Sequence, residues 1–260
     1  MTTIQQRIGQ SRSRVATYLA ADFDRIEGWC SPTTAAMMAE LLWFQESDGV
    51  PGGIAEIGIH HGKSFLVMAL AARPEDRKFA VDVFGMQERN VDDSGKGDRG
   101  IFEAYLREYA ADCDVDVLEM DSLDLRGREA DFGFKGLRFL SIDGGHTIKA
   151  TANDLHIADR ALRPDGICVV DDLLNPHWTG VVSGVFAFMS RSASLVPVAL
   201  IPNKLVMSRP AHRSRILAFM RSAFARSREK SDLELGTGLI DVFGEFPGYH
   251  PADPPAVGGT

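Results

Sequence analysis

Apolar and polar positions fall into two regimes along this 260-residue chain. Over about the first 50 residues the apolar positions recur at helical spacing, as in Met37, Met38, Leu41, Leu42 and Phe44. Ser31 is placed to cap that helix and Pro32 to fill its first turn. Gly49 and Gly52-Gly53 end it. Short unbroken apolar runs then alternate with longer helix-period segments. Ile54 to Ile57, Phe79 to Val83, Val115 to Met120, Leu137 to Ile142 and Ile167 to Val170 predict strands. Helices are predicted from Ser64, over Ile101 to Ala110 and over Ile148 to Leu162, with Pro164-Asp165-Gly166 as a tight turn. Such alternation argues for a parallel sheet covered on both faces by helices. Leu195 to Ile201 and Leu205 to Met207, split by Pro202-Asn203-Lys204, read as a closing antiparallel hairpin.

The expected fold is therefore α/β, a doubly wound Rossmann-like sheet, mostly parallel, with an antiparallel closing hairpin and N-terminal helices. Three segments follow: a helical cap over 1–50, the sheet domain over 51–210, and a C-terminal helix and tail over 211–260. The stretch from Gly85 to Gly100 holds four glycines and few apolar residues, which predicts a mobile loop. The tail after Gly236 is rich in Gly and Pro and reads as a surface-hugging extension, across a partner subunit for instance, or as disorder.

Composition narrows the partners. Hydrophobic residues at 45% and charged residues at 25% are ordinary for a globular protein. The net charge of -8 argues against nucleic acid. No run of 18 apolar residues exists to span a membrane, and the N-terminal residues lack a signal peptide's apolar core. Cys30, Cys113 and Cys168 have neither metal nor redox spacing, and Cys168 falls in an apolar strand as a buried small residue. A cytoplasmic protein with a small-molecule partner is expected.

The chemistry begins where the first strand ends. Glu56-Ile-Gly58-Ile-His-His-Gly62-Lys-Ser64 is a strand, a glycine turn and a helix start, and Asp82 ends the next strand twenty residues after Gly62. An acid at that distance is where an α/β nucleotide fold bonds ribose hydroxyls. Three ligands compete for the loop. A dinucleotide wants a second glycine where His60 stands. A phosphate loop wants four residues between its first glycine and Gly62-Lys63-Ser64, and only Ile59, His60 and His61 are there. S-adenosylmethionine has no phosphate, needs fewer inward amides, and carries an amino group and a sulfonium that suit an acid such as Glu56. The loop fits the methyl donor best.

Every predicted strand ends in an acid: Glu56, Asp82, Asp121, Asp143, and the pair Asp171-Asp172. Each alone reads as a cap or turn residue, but as a set they line one rim, beyond the carboxyl ends of the strands where such sheets bind ligands. Glu56, Gly58, Gly62, Ser64, Asp82, Asp121 and Ser122 are assigned to the cofactor, with Asp143 bordering it. Asp143, Asp171 and Asp172 would repel one another unless something positive sits among them. Mg²⁺ is the expected ion; the alternative is that Asp171 or Asp172 caps the next segment and no metal binds. His146, three residues after Asp143, is a candidate base, or a histidine bonded at a helix start. His60 and His61 are weaker candidates. His177 and Trp178 would wall the acceptor pocket, Trp178 by stacking on a ring or by packing alone.

These residues resemble those of the class I S-adenosylmethionine-dependent methyltransferases, over about residues 50 to 210. Ile142-Asp-Gly-Gly-His146 and Val169-Val-Asp-Asp172 further resemble the macrocin-type sugar O-methyltransferases and, more distantly, the catechol-type enzymes. The resemblance implies a metal on Asp143, Asp171 and Asp172. Catechol-type enzymes have a lysine where this chain has His146, and macrocin-type enzymes often have a second Asp where it has Gly145. Two versions of the reaction follow, one assisted by Mg²⁺ and one in which His146 acts without a metal on O or N. A third reading keeps the pocket without catalysis. The acceptor is expected to be a sugar-containing natural product or a phenolic, catechol-like molecule. The N-terminal helices and the tail are candidate elements of a homo-oligomer.

Overall fold

The computed structural model describes residues 3–246 apart from 193 and 237. Helix α1 (Ile4–Ala21) starts in a capping box between Thr3 and Gln6, and α2 (Pro32–Ser47) starts at Ser31, whose Oγ accepts the Thr34 N–H at 3.1 Å. Residues 33 to 43 of α2 are buried without a break. A helix apolar on all sides belongs inside a protein, and α2 is clasped by α1 and by α3 (Lys63–Ala71).

The strands are β1 (Gly53–Ile57), β2 (Lys78–Asp82), β3 (Val115–Glu119), β4 (Leu137–Ile142), β5 (Leu162–Asp171), β6 (Val196–Ile201), β7 (Lys204–Ser208), β8 (Arg228–Leu235) and β9 (Gly238–Phe243). They form one sheet in the order β3-β2-β1-β4-β5-β7-β6-β9-β8. β1 to β5 are parallel, and β7 is antiparallel to both β5 and β6. The remaining helices are α4 (Arg99–Tyr109), the single turn α5 (Ser122–Leu125), α6 (Ile148–Ala161), α7 (Thr179–Met189) and α8 (Pro210–Ala223). From β1 the chain builds outward to β2 and β3, then returns to lay β4 on the other side. The direction of winding therefore reverses between β1 and β4, which opens a crevice at their carboxyl ends.

Strand residues alternate between two cores. Phe139, Ile167 and Val169 join the layer of α1, α2, α3 and α8, whereas Leu140, Cys168 and Val170 face α6 and α7. Cys168 is fully buried, as its apolar surroundings in the sequence imply. No helix among the described residues is long and apolar enough to cross a membrane.

Two expectations about the strands change. β5 starts at Leu162, and the tight turn expected at Pro164-Asp165-Gly166 is an irregularity inside it. Leu137 pairs with Leu162 and Phe139 with Ile167, so two steps on β4 oppose five on β5 and the surplus residues loop out. The second change is β8 and β9 at the sheet edge. Residues 238–243 of the tail, expected as a surface extension or disorder, are a strand that buries Ile240 and Phe243. Residues 247–260 lie outside the described residues. β8 begins Arg228-Glu-Lys-Ser-Asp232 and is largely exposed. Charge suits a sheet edge and masks the strand in the sequence.

Candidate active site

The glycines of the β1–α3 turn serve the fold first. A β-carbon on Gly58 would lie 1.9 Å from the Asp143 carbonyl oxygen, and one on Gly62 would lie 2.6 Å from the Phe102 ring. Both glycines have φ of +88°. With no side chain at Gly58, the turn after β1 can lie directly on the turn after β4, and this brings the two sets of acids to one cavity. The cavity has a volume of about 1090 Å³, room for more than one small ligand. Gly58, Ser64, Asp82, Asp121, Ser122, Asp143, His146, Asp171, Asp172, His177 and Trp178 all line it. Glu56 and Gly62, also assigned to the cofactor from the sequence, do not reach its wall.

On the β1–β3 side, main-chain amides hold the acids. Asp82 Oδ2 accepts the N–H groups of Ile59 at 2.6 Å and His60 at 2.8 Å, and Oδ1 accepts that of Phe84 at 2.7 Å. Asp82 therefore fixes the glycine turn, with His60 at a φ of +52°. Asp121 caps α5, with Oδ1 accepting the Leu123 N–H at 2.9 Å. Glu56 is fully buried behind the turn and accepts the Ser64 hydroxyl at 2.9 Å. Burial raises its pKa to about 7 although Lys204 and the hydroxyl oppose the shift. Its link to the cavity runs through Ser64.

On the β4–β5 side, side-chain donors hold the acids. His146 stands between two carboxylates, with Nε2 3.0 Å from Asp172 Oδ2 and Nδ1 3.2 Å from Asp92 Oδ2. Trp178 stacks on the imidazole with ring centres 4.3 Å apart. Burial disfavours the imidazolium, but Asp172, Asp92 and the nearby Asp143 outweigh it and raise the His146 pKa to about 9. Burial would likewise raise Asp172, but His146, Asn175 and Asn203 bring it down to about 2. The neutral imidazole that a base at this position requires is therefore the minor form at pH 7.

Asp92, Asn203 and Lys204 were not among the residues singled out in the sequence. Asp92 lies in the glycine-rich loop. That loop is held inward, with Asn90 Nδ2 donating to the Gly95 carbonyl at 2.7 Å and Asp92 accepting both the main-chain N–H and the ring of His146. A lone acid in a polar loop carries no signal. Lys204, read from the sequence as part of the hairpin turn, opens β7 beside the acids, a place the sequence does not signal. Its Nζ pairs with Asp171 Oδ2 and lies 3.3 Å from Asp143 Oδ2, with its side chain 1% exposed. Burial works against its charge, but Asp143 and Asp171 prevail and raise its pKa well above the usual value. Burial and Asp143 push the Asp171 pKa upward in turn.

This arrangement decides how the acids fit a metal. Asp171 Oδ1 accepts from the Asp172 N–H and Asn203, and Asp171 Oδ2 from Lys204. Asp172 Oδ1 accepts from Asn175 and Asn203, Asp172 Oδ2 from His146, and Asp143 Oδ2 from Lys204. Five of the six oxygens thus already carry donors, and an ammonium stands between Asp143 and Asp171. Three aspartates so engaged do not fit Mg²⁺, which needs an octahedron of available oxygens. Ligand atoms of Asp143, His146 and Asp172 lie within 4.8 Å of one another, but that set includes an imidazole, a poor donor for magnesium. The β1–β3 side does fit a nucleoside: Met120 and Leu123 offer apolar surface beside Asp121 and Ser122, and Asp82 Oδ1 keeps one lone pair beyond those the amides use.

Residues 55–173 match the model of a family described as "Methyltransferase domain". The match covers less than half of the chain, and over those residues the chain is similar to that family. The matched span includes Glu56, Asp82, Asp143, His146 and Asp171-Asp172; Asn203 and Lys204 lie beyond it. Solved methyltransferases share the fold. The O-methyltransferase NovP superposes with a TM-score of 0.54 at 16% identity, covering 69% of this chain and 80% of its own. The O-methyltransferase from Bacillus cereus, solved with S-adenosylhomocysteine, gives 0.53 at 15%, covering 76% and 89%. CalS11, a TDP-rhamnose 3'-O-methyltransferase of calicheamicin biosynthesis, gives 0.51 at 18%, covering 76% and 92%. At such identities the likeness establishes the fold, and the doubly wound Rossmann-like sheet expected from the sequence is met. No curated protein matches the chain.

Proposed function

We propose that this protein is a methyltransferase that moves a methyl group from S-adenosylmethionine to a hydroxyl oxygen of a small molecule. The observation that carries the reading is one cavity with two differently built walls, joined at the contact of Gly58 with Asp143. Asp82, Asp121, Ser122 and Ser64 would bind the nucleoside and amino-acid parts of the cofactor. The methyl donor supplies an electrophilic carbon on a sulfonium, which leaves as a neutral thioether. His146 Nε2 would take the acceptor's proton as the O–C bond forms, in the fraction of molecules where the ring is neutral and the acceptor hydroxyl has displaced Asp172 from Nε2. Asp92 on Nδ1 sets the ring's orientation, and Asp143 borders both ligands. Trp178 and His177 would wall the acceptor, and much of the rate would come from holding oxygen, carbon and sulfur in line. Magnesium assistance, one of the two versions implied by the sequence, loses support because its three aspartates are already occupied, and no step is routed through it.

A sugar hydroxyl and a phenolic hydroxyl both suit this chemistry. The acidic chain favours a small molecule over nucleic acid as the acceptor. The test is incubation with S-adenosylmethionine and a panel of free and nucleotide-linked sugars, catechols and primary amines. The reading expects S-adenosylhomocysteine together with a methyl ether, identified by mass spectrometry. Methylamine products with no ether would overturn oxygen as the target.

A further inference from the structure

Lys204 opens β7 directly opposite Asp171, the last residue of β5, and the two are partners in the antiparallel ladder. The residue before it, Asn203, turns the chain at a φ of +63° and donates from Nδ2 to Asp171 Oδ1 and Asp172 Oδ1, each at 2.7 Å. One tight turn thus delivers an ammonium and an amide to three strand-end acids. The ammonium touches Asp171 and lies 3.3 Å from Asp143, and the amide joins Asp171 to Asp172. Lys204 does not line the cavity, whereas all three aspartates do. It holds their charge from behind and leaves the acceptor side clear.

We propose that the Lys204 ammonium is the resident cation of this site: it stands between Asp143 and Asp171 where a divalent ion would otherwise bind, and methyl transfer here runs without a metal. The assignment rests on the methyl-transfer reading of the cavity. Its physical basis is charge and space. Carboxylates gathered in a crevice need a positive partner. A covalently attached ammonium fills that need and repels any dication brought to the same oxygens. With its side chain 1% exposed and two of its three donors on carboxylates, Lys204 has no solvated position to retreat to within the fold. Lys204 is in this sense a positioning residue, fixing Asp143 and Asp171, with Asn203 carrying the support on to Asp172, the carboxylate on His146.

The test uses the chelator-washed full chain with S-adenosylhomocysteine, titrated with Mn²⁺ and followed by the paramagnetic resonance of the free ion. Wild type is expected to show no saturable Mn²⁺ site, and Lys204→Met, of similar length and uncharged, to gain one per chain. Lys204→Gln is a second neutral variant, and Lys204→Arg, which keeps the charge, should gain none. A saturable site in wild type overturns the proposal. So do neutral variants that still bind S-adenosylhomocysteine, and are therefore folded, yet gain no site. Turnover decides separately if the variants fail to fold: activity unchanged in excess EDTA supports the proposal, and activity abolished by EDTA and restored by Mg²⁺ or Mn²⁺ overturns it. Absence of S-adenosylhomocysteine binding in folded wild type would sink the methyl-transfer reading instead, while the Mn²⁺ titration still reads Lys204.

Discussion

The ends of β1 to β3 and the ends of β4 and β5 both bring acids to one cavity, and they hold them by different means. Around Asp82 and Asp121 the hydrogen-bond donors among the described residues are the main-chain N–H groups of Ile59, His60, Phe84 and Leu123, and Arg89 adds only a long ion pair to Asp121 at 3.8 Å. Around Asp143, Asp171 and Asp172 they are chiefly side chains, above all the cations Lys204 and His146. A main-chain amide keeps its place as long as the turn keeps its shape, through most substitutions and across pH. A side-chain cation is lost with one substitution, and an imidazolium with a change of pH. The first wall is thus set by the fold, and the second is where the chemistry of this chain can be tuned.

The largest expected effect breaks the second wall at its reactive group. His146→Ala should lower kcat by about 10²- to 10⁴-fold, the usual worth of a general base, when assayed with any acceptor that wild type methylates. An unchanged kcat would remove His146 from the reaction. Next is the buried pair. Asp171→Leu leaves the Lys204 charge with Asp143 as its remaining close carboxylate, and should cost about 3–5 kcal/mol in urea unfolding. A cost within error of zero would mean that the pair contributes no net stability.

Asp154 of α6 sharpens the comparison because its support is neutral side chains alone, with no cation beside it. It is fully buried, Asn153 donates to one of its oxygens, and the other has no partner among the described residues. Burial raises its pKa to about 7, against a usual value near 3.8. Stability from such a group is complete below its unfolded value and is lost as pH rises through 7. Asp154→Asn should therefore be more stable than wild type at pH 8, by roughly 2–4 kcal/mol, with the gap closing toward pH 4. A gap that does not change between these conditions would contradict a charged, strained Asp154 at high pH.

The smallest effect is a shift in the pH–rate profile. With the His146 pKa raised to about 9, the neutral base is scarce at pH 7, so kcat/KM should climb about tenfold per pH unit and level near pH 9. Asp92→Asn removes one carboxylate that favours the imidazolium, so its profile should level about one unit lower. A wild-type profile flat from pH 6 to 9 would mean that His146 does not take the proton.

How much of this was legible beforehand follows the same division. The parallel strands, the closing hairpin and the row of strand-end acids were readable because apolar runs and the residues that end them are local signals. Gly58 and Gly62 were read as serving a ligand; their nearest neighbours are the Asp143 carbonyl and the Phe102 ring. Glu56 was read as facing the cofactor because it ends a strand, yet the period-2 alternation turns it inward toward Ser64. The need for a positive partner among Asp143, Asp171 and Asp172 was legible from charge alone. Its identity was not, because Lys204 reaches Asp171 only through an antiparallel pairing of residues 33 apart in the chain. Asp92 depends on a loop folding back over 54 residues to His146. Such long-range partners leave no periodic trace.

The division between the two walls meets its most direct test in calorimetric titration of S-adenosylhomocysteine into wild type, Asp82→Ala and His146→Ala. The account predicts one site in wild type, at least about tenfold weaker binding in Asp82→Ala through loss of the turn's charge-assisted bonds, and binding within about twofold of wild type in His146→Ala. Equal affinities in wild type and Asp82→Ala, or a greater loss in His146→Ala, would contradict it.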